Sequence, residues 1–135
     1  MKETSTETLC VVVERDMPFA PEKIWRALTQ PHLIEEWLMK NDFSPVVGHR
    51  FNLRGDWGSV DCQVLTIEPN RTLSYTWDAL GLKSVVTLTL TPTATGTHLR
   101  MEQAGFPPDR PQNYQGAKFG WQKFLAGLEQ VAARN

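Results

Sequence analysis

Between Asp109 and Arg134 the chain reads DRPQNYQGAKFGWQKFLAGLEQVAAR, and Tyr114, Ala117, Trp121, Phe124, Leu125, Leu128, Val131 and Ala132 recur at steps of three and four. That spacing draws one apolar stripe along a long helix of about 3.6 residues per turn. Asp109 can cap its start, Pro111 suits the first turn, and Gln112, three residues after Asp109, completes a capping box. Gly116, Gly120 and Gly127 fall together on a flank beside the Phe124 and Val131 edge of the stripe. Glycine in a helix interior costs about 1 kcal/mol against alanine, so bare backbone serves something there. Two readings stand: close packing of helix on sheet, or room left for a bound molecule.

Residues 1–7 are polar and expected to be loose, and Thr8 to Met17 then reads as a strand built on Val11, Val12 and Val13. Pro18 ends it. Pro21 opens a short helix, PEKIWRAL, whose Ile24, Trp25 and Leu28 share a face. After Pro31 a second short helix, His32 to Leu38, gathers Leu33, Ile34, Trp37 and Leu38, with Glu35 and Glu36 facing water. From Asn41 the period changes to two, with turn signals at regular intervals, as in an antiparallel meander. A short strand is expected at Val46 and Val47, and another carries Phe51, Leu53, Gly55 and Trp57 up to a turn over Gly55 to Gly58. Val60, Cys62 and Val64 alternate with polar residues until Leu65 and Ile67 shift the parity, which predicts a bulge near Val64. Leu73, Tyr75 and Trp77, then Val86, Leu88 and Leu90, alternate with threonines and serine on either side of Gly81. The last strand, Thr95 to Gln103, sets Leu99, Met101 and Gln103 on one face and His98, Arg100 and Glu102 on the other. A sheet with one apolar face and a helix with one apolar stripe bury them against each other. The predicted fold is α+β: a curved antiparallel sheet of six to seven strands around the C-terminal helix, with two short helices after the first strand.

The chain has 135 residues, the size of a single domain spanning residues 1–135. Lys and Arg number 14 against 15 Asp and Glu, a net charge of -1, with no run of like charge. No nucleic acid is expected as a partner. The N-terminus has no apolar signal core and the longest apolar run, LCVVV, is too short for a bilayer, so no membrane partner and a cytoplasmic location are expected. Cys10 and Cys62 lie in strand-like runs without CxxC spacing and read as small buried hydrophobes. The five tryptophans fill a core or line a pocket for an apolar ligand.

The stretch APEKIWRALTQPHLIEEWL, with Pro21, Trp25, Leu28, Thr29, Pro31 and Trp37, resembles the opening of a branch of the START-like, or SRPBCC, superfamily of helix-grip proteins. That branch is named for homologues of the heat-shock-protein ATPase activator. Further matching strings are Gly48 leading into Phe51; Glu68-Pro69 with Arg71, Leu73, Tyr75 and Trp77; Gly96-Thr97 with Leu99; and Gly120-Trp121 with Leu125 and Leu128. The resemblance runs from about Thr8 to Ala133. It implies a hydrophobic cavity between the sheet and the last helix, entered near the two short helices and the strand loops. Lipid carriers, hormone receptors, polyketide cyclases and co-chaperones share the superfamily, so the fold alone does not choose an activity. The eukaryotic activators carry an additional N-terminal domain for which this chain has no room, and their co-chaperone role is not transferred.

No Ser-His-Asp or Cys-His arrangement, phosphate loop or dinucleotide fingerprint is present, and no cofactor is expected. His32, His49 and His98 share no ligand spacing, so no metal is expected either. Glu14, Asp16, Asp61 and Glu102 fall on solvent parity; only Asp56, beside the Gly55 and Trp57 turn, is placed to tip inward. Arg15 shares parity with Val11 and Val13, where an inward arginine needs a carboxylate or a ligand anion, and a bulge turning it to solvent is the favoured reading. Trp57, Tyr75, Trp77, Gln103 and Trp121 combine inward parity with a polar atom able to orient a ligand; Trp25, Trp37, Phe124 and Leu128 complete the candidate cavity set. The leading expectation is a binder of a small hydrophobic molecule. Its rivals are a polyketide-cyclase-type enzyme using a group such as Tyr75 or Arg15 for proton transfer, and a protein-interaction module, to which Phe119 on the helix's polar side points. A homodimer stays open.

Overall fold

The computed structural model describes residues 9–79, 81–107 and 111–135. The elements run β1 (Leu9–Met17), α1 (Pro21–Thr29), α2 (Pro31–Trp37), β2 (Lys40–Asn41), β3 (Arg50–Gly55), β4 (Gly58–Glu68), β5 (Thr72–Ala79), β6 (Leu82–Thr93), β7 (Gly96–Phe106) and α3 (Pro111–Arg134). The strands form one seven-stranded antiparallel sheet in the order β1-β7-β6-β5-β4-β3-β2. The sheet is not closed, and α3 packs against β1, α1 and α2. This is the expected α+β helix-grip architecture. The loose segment 1–7, Thr8 as the start of β1, and the Asp109 capping box rest on residues outside the described ones.

Local chemistry explains the two short helices. Pro21 and Pro31 each occupy a first helical turn, where a missing N–H costs nothing. Gln30 is extended, as the residue before a proline must be, so it ends α1 and starts α2 at once. Its carbonyl accepts the amides of Leu33 and Ile34, both at 2.9 Å. Ile24, Ala27 and Leu28 are fully buried, as are Leu125 and Leu128 of α3. Each of these isoleucine and leucine side chains contributes about 1.5–3 kcal/mol by leaving water.

The bulge expected near Val64 is present as a register shift between Val64 and Thr66. A second one was not predicted: Leu9 pairs with Phe106 and Cys10 with Ala104, so Gly105 is the extra residue. Gly105 has a φ of +121°, and a Cβ there would stand 2.7 Å from the Lys83 carbonyl oxygen. The bulge reverses the alternation and turns Phe106 into the core, where it is 1% exposed.

Four expectations are corrected. Val46 and Val47 form no strand and are exposed; the short strand is Lys40–Asn41, where Met39 and Leu53 bury side chains on either side of the pair. Cys10 is exposed, because it lies at the bulged end of an edge strand, whereas Cys62 is buried and its thiol is pushed up to about 12 by that burial. Asp56 sits exposed in the β3–β4 turn. Arg15 lies at the surface, as expected, but no bulge puts it there, since β1 is regular from Cys10 to Met17; its Nε donates to Glu129 of α3 at 2.6 Å.

On the outer face, His98 bridges two carboxylates, with Nε2 2.7 Å from Glu14 and Nδ1 2.7 Å from Asp16. Both ring nitrogens donate only in the imidazolium. The hydrogen bonds to Glu14 and then Asp16 hold its pKa above the ordinary histidine value. A raised folded-state pKa stabilises fully below the unfolded value of about 6.5 and is lost as pH rises through the folded one. Melting temperatures at pH 6 and pH 9 are expected to differ more for wild type than for His98→Asn; equal differences would exclude the histidine as the cause.

Candidate functional site

One cavity of about 240 Å³ opens between the sheet and the N-terminal half of α3. Its floor is Trp77 and Ala79 of β5, Leu82 of β6, and Gln103 and Phe106 of β7. Its far wall is Gly116, Ala117, Gly120, Trp121 and Phe124 of α3, and Trp57 stands at the β3–β4 turn. The strand residues reach it because they share inward parity, with the Gly105 bulge adding Phe106. The helix residues reach it because 116, 117, 120, 121 and 124 follow one another at helical spacing.

The glycine flank divides. A Cβ built on Gly116 or Gly120 meets nothing within 4 Å, so these two leave open space beside the cavity. A Cβ on Gly127 would lie 3.6 Å from the Trp37 Cβ, ordinary van der Waals contact, so that glycine faces α2 and not the cavity. Open space is thus left at two of the three positions, while the third faces α2.

The cavity is aromatic and carries one buried polar network. Trp77 and Trp121 rings lie 5.5 Å apart, and Phe124 stands edge-on to Trp121 at 5.4 Å. The Trp121 Nε1–H donates to Gln103 Oε1 at 2.8 Å, Gln103 Nε2 donates to Ser84 Oγ at 2.9 Å, and the Ser84 hydroxyl donates to the Trp77 carbonyl at 2.9 Å. Among the described residues no lining side chain titrates. Trp57 is 53% exposed; its indole folds over Gly55, where a Cβ would stand 2.9 Å from Nε1.

Of the sequence candidates, Trp57, Trp77, Gln103, Trp121 and Phe124 are brought together here. Trp25 is half-buried on α1 and packs against the core away from the cavity. Trp37 is buried, and its Nε1 donates to the Ala27 carbonyl at 2.8 Å, joining α2 to α1. Leu128 is fully buried core. Tyr75 is buried against Phe51, 5.4 Å between rings, and burial raises its hydroxyl pKa; the hydroxyl has no hydrogen-bond partner among the described residues. Residues beside the β3–β4 and β5–β6 turns line the cavity, and no described residue of either short helix does. Ala79 and Leu82, which the pattern had not singled out, flank the turn where the parity of Tyr75 and Trp77 runs on. Among the described residues no cluster of three or more histidine, cysteine or acidic side chains could hold a metal ion, and no helix is long and apolar enough to cross a membrane.

The model of the family described as Activator of Hsp90 ATPase homolog 1-like protein matches residues 18–133. The crystal structure of protein MLL2253 from Mesorhizobium loti is 63% identical, with a TM-score of 0.91 over 94% of this chain and 98% of that one. CalU16 from Micromonospora echinospora is 25% identical, with a TM-score of 0.81 over 93% of this chain and 76% of that one. DynU16, from the dynemicin biosynthetic locus, is also 25% identical, with a TM-score of 0.82; the match covers 90% of this chain and 46% of DynU16. Among curated proteins no match was found.

Proposed function

The chain belongs to the Activator of Hsp90 ATPase homolog 1-like family, and on that footing we propose that it binds a small hydrophobic molecule in the cavity between the sheet and α3. The observation that carries this reading is the wall itself: aromatic rings on three sides, bare helix backbone at Gly116 and Gly120, and one amide inside. Apolar walls with a few placed polar groups characterise small-molecule sites. The volume of about 240 Å³ lies below the roughly 300–1,000 Å³ of drug-sized pockets and above the roughly 150 Å³ cavity that admits benzene. A molecule of one or two rings fits that range. Proton transfer of the cyclase type needs a titratable group in reach of the substrate, and the lining supplies none among the described residues. Arg15 is engaged by Glu129, and Tyr75 lies outside the lining. We place this binding role in the cytoplasm, as the sequence suggests.

The test is a comparison of Trp77→Ala with wild type. Trp121 is 2% exposed and hydrogen-bonded, so replacing it disturbs the fold; Trp77 is half-buried and reports binding more cleanly. Aromatic probes such as naphthalene are expected to raise the wild-type melting temperature, since a ligand at 100 times its dissociation constant adds about 2.7 kcal/mol. Loss of the indole is expected to weaken the probe roughly tenfold, through lost ring contact. Unchanged affinity in a folded Trp77→Ala protein would overturn the reading.

A further inference from the structure

We infer that the cavity selects for a hydrogen-bond acceptor, so that its preferred ligands are flat apolar molecules carrying a carbonyl or similar oxygen rather than N–H donors. The inference rests on the proposed binding role of the cavity and adds the class of ligand.

An amide can usually turn its oxygen and nitrogen either way, but Gln103 is fixed from both ends. An indole nitrogen can only donate, so the group 2.8 Å from Trp121 Nε1 must be the oxygen. At the other end of the chain, the Trp77 carbonyl can only accept, so the Ser84 hydroxyl spends its one hydrogen there and must accept from Gln103 Nε2. Flipping the amide would set two donors against each other at Trp121 and leave Ser84 Oγ facing a carbonyl oxygen with no hydrogen to share. The network is buried: Ser84 is 4% exposed, and Gln103 and Trp121 are 2% each.

Nε2 carries two hydrogens and uses one on Ser84. The second has no partner among the described residues, while Gln103 lines the cavity. A buried N–H left unmade is rarer and costlier than a carbonyl oxygen with one lone pair unused. The unmet demand of the site is thus for an acceptor. Among the described residues no carboxylate lines the cavity to attract a cationic donor.

Three probes of similar size separate the cases: tetralin, with no polar atom; 1-tetralone, with one carbonyl; and indole, with one N–H and no comparable acceptor. Affinities measured by calorimetry on the wild-type protein are expected to place 1-tetralone ahead of tetralin by roughly three- to tenfold, the worth of one neutral hydrogen bond, and indole no better than tetralin. In Gln103→Met, which keeps length without the donor, the advantage of 1-tetralone is expected to disappear while tetralin still binds. If that variant does not fold, the wild-type order alone decides. Equal binding of tetralin and 1-tetralone, or a lead for indole, overturns the inference and leaves the cavity reading standing. Failure of all three probes to bind overturns the cavity reading, and the inference with it.

Discussion

Gly96→Ala is expected to destabilise the protein by about 4 kcal/mol, among the largest single effects that substitutions produce. A Cβ at this position would stand 2.1 Å from the Met17 carbonyl oxygen, 2.8 Å from the Phe19 nitrogen and 2.9 Å from the Pro18 Cα. All three are backbone atoms, so no side chain can rotate to make room. Relief requires the end of β1 to separate from the start of β7, where Met17 pairs with Thr97. The same corner is tied by the buried Thr97 hydroxyl, which donates to the Phe19 carbonyl at 2.7 Å, and it covers Met17, 2% exposed. Opening it breaks pairing, a buried hydrogen bond and core packing together. Urea unfolding would show the midpoint fall with little change in slope; a midpoint within error of wild type would mean that the corner yields at low cost.

Gly120→Leu is expected to do the reverse, leaving the fold intact and removing the binding site. Nothing lies within 4 Å of a Cβ at this position, so the added side chain meets no clash at its root. Helical side chains lean toward the preceding turn, which carries the leucine over Gly116 and into the cavity that both glycines line. Replacing glycine in a helix contributes about 1 kcal/mol of stability. Binding of naphthalene or 1-tetralone is expected to weaken on the order of a hundredfold, the equivalent of about 2.7 kcal/mol. A more stable protein that no longer responds to probes would separate site from scaffold; a stable variant that binds as wild type does would place the ligand elsewhere.

The architecture was legible because each element carried its own period. The stripe from Trp121 to Ala132 in α3, and the alternation of Leu73 with Tyr75 and of Leu99 with Met101, each gave a face, and the faces had to meet. What misled was local. Val46 and Val47 are β-branched and suggest a strand, yet no partner strand reaches them, and pairing rather than propensity decides. Phe106 was hidden because Gly105 inserts one residue and reverses the parity, which a strict alternation cannot register. For the site, inward parity identified Trp77 and Gln103 but could not place them along the depth of the sheet. Tyr75, next but one to Trp77 on the same face, falls among Phe51 and its neighbours instead of at the cavity. The direction of the Gln103 amide depends on Ser84 and Trp121, which lie 19 and 18 residues away and meet it only in the folded chain.

The pairing of β1 with β7 sets an order of assembly. The strands from β3 to β7 join neighbour to neighbour through short turns, so each can zip onto the one before it as it leaves the ribosome. β1 is made earlier, but Val13 must wait for Met101 before it has a partner. Contacts this distant in sequence form slowly, because a long loop has to close first. Through most of synthesis the run Val11, Val12 and Val13 is therefore an unpaired apolar strand, the kind of segment that aggregates or recruits chaperones. The seam that completes the grip is the pairing in this sheet that joins strands far apart in sequence.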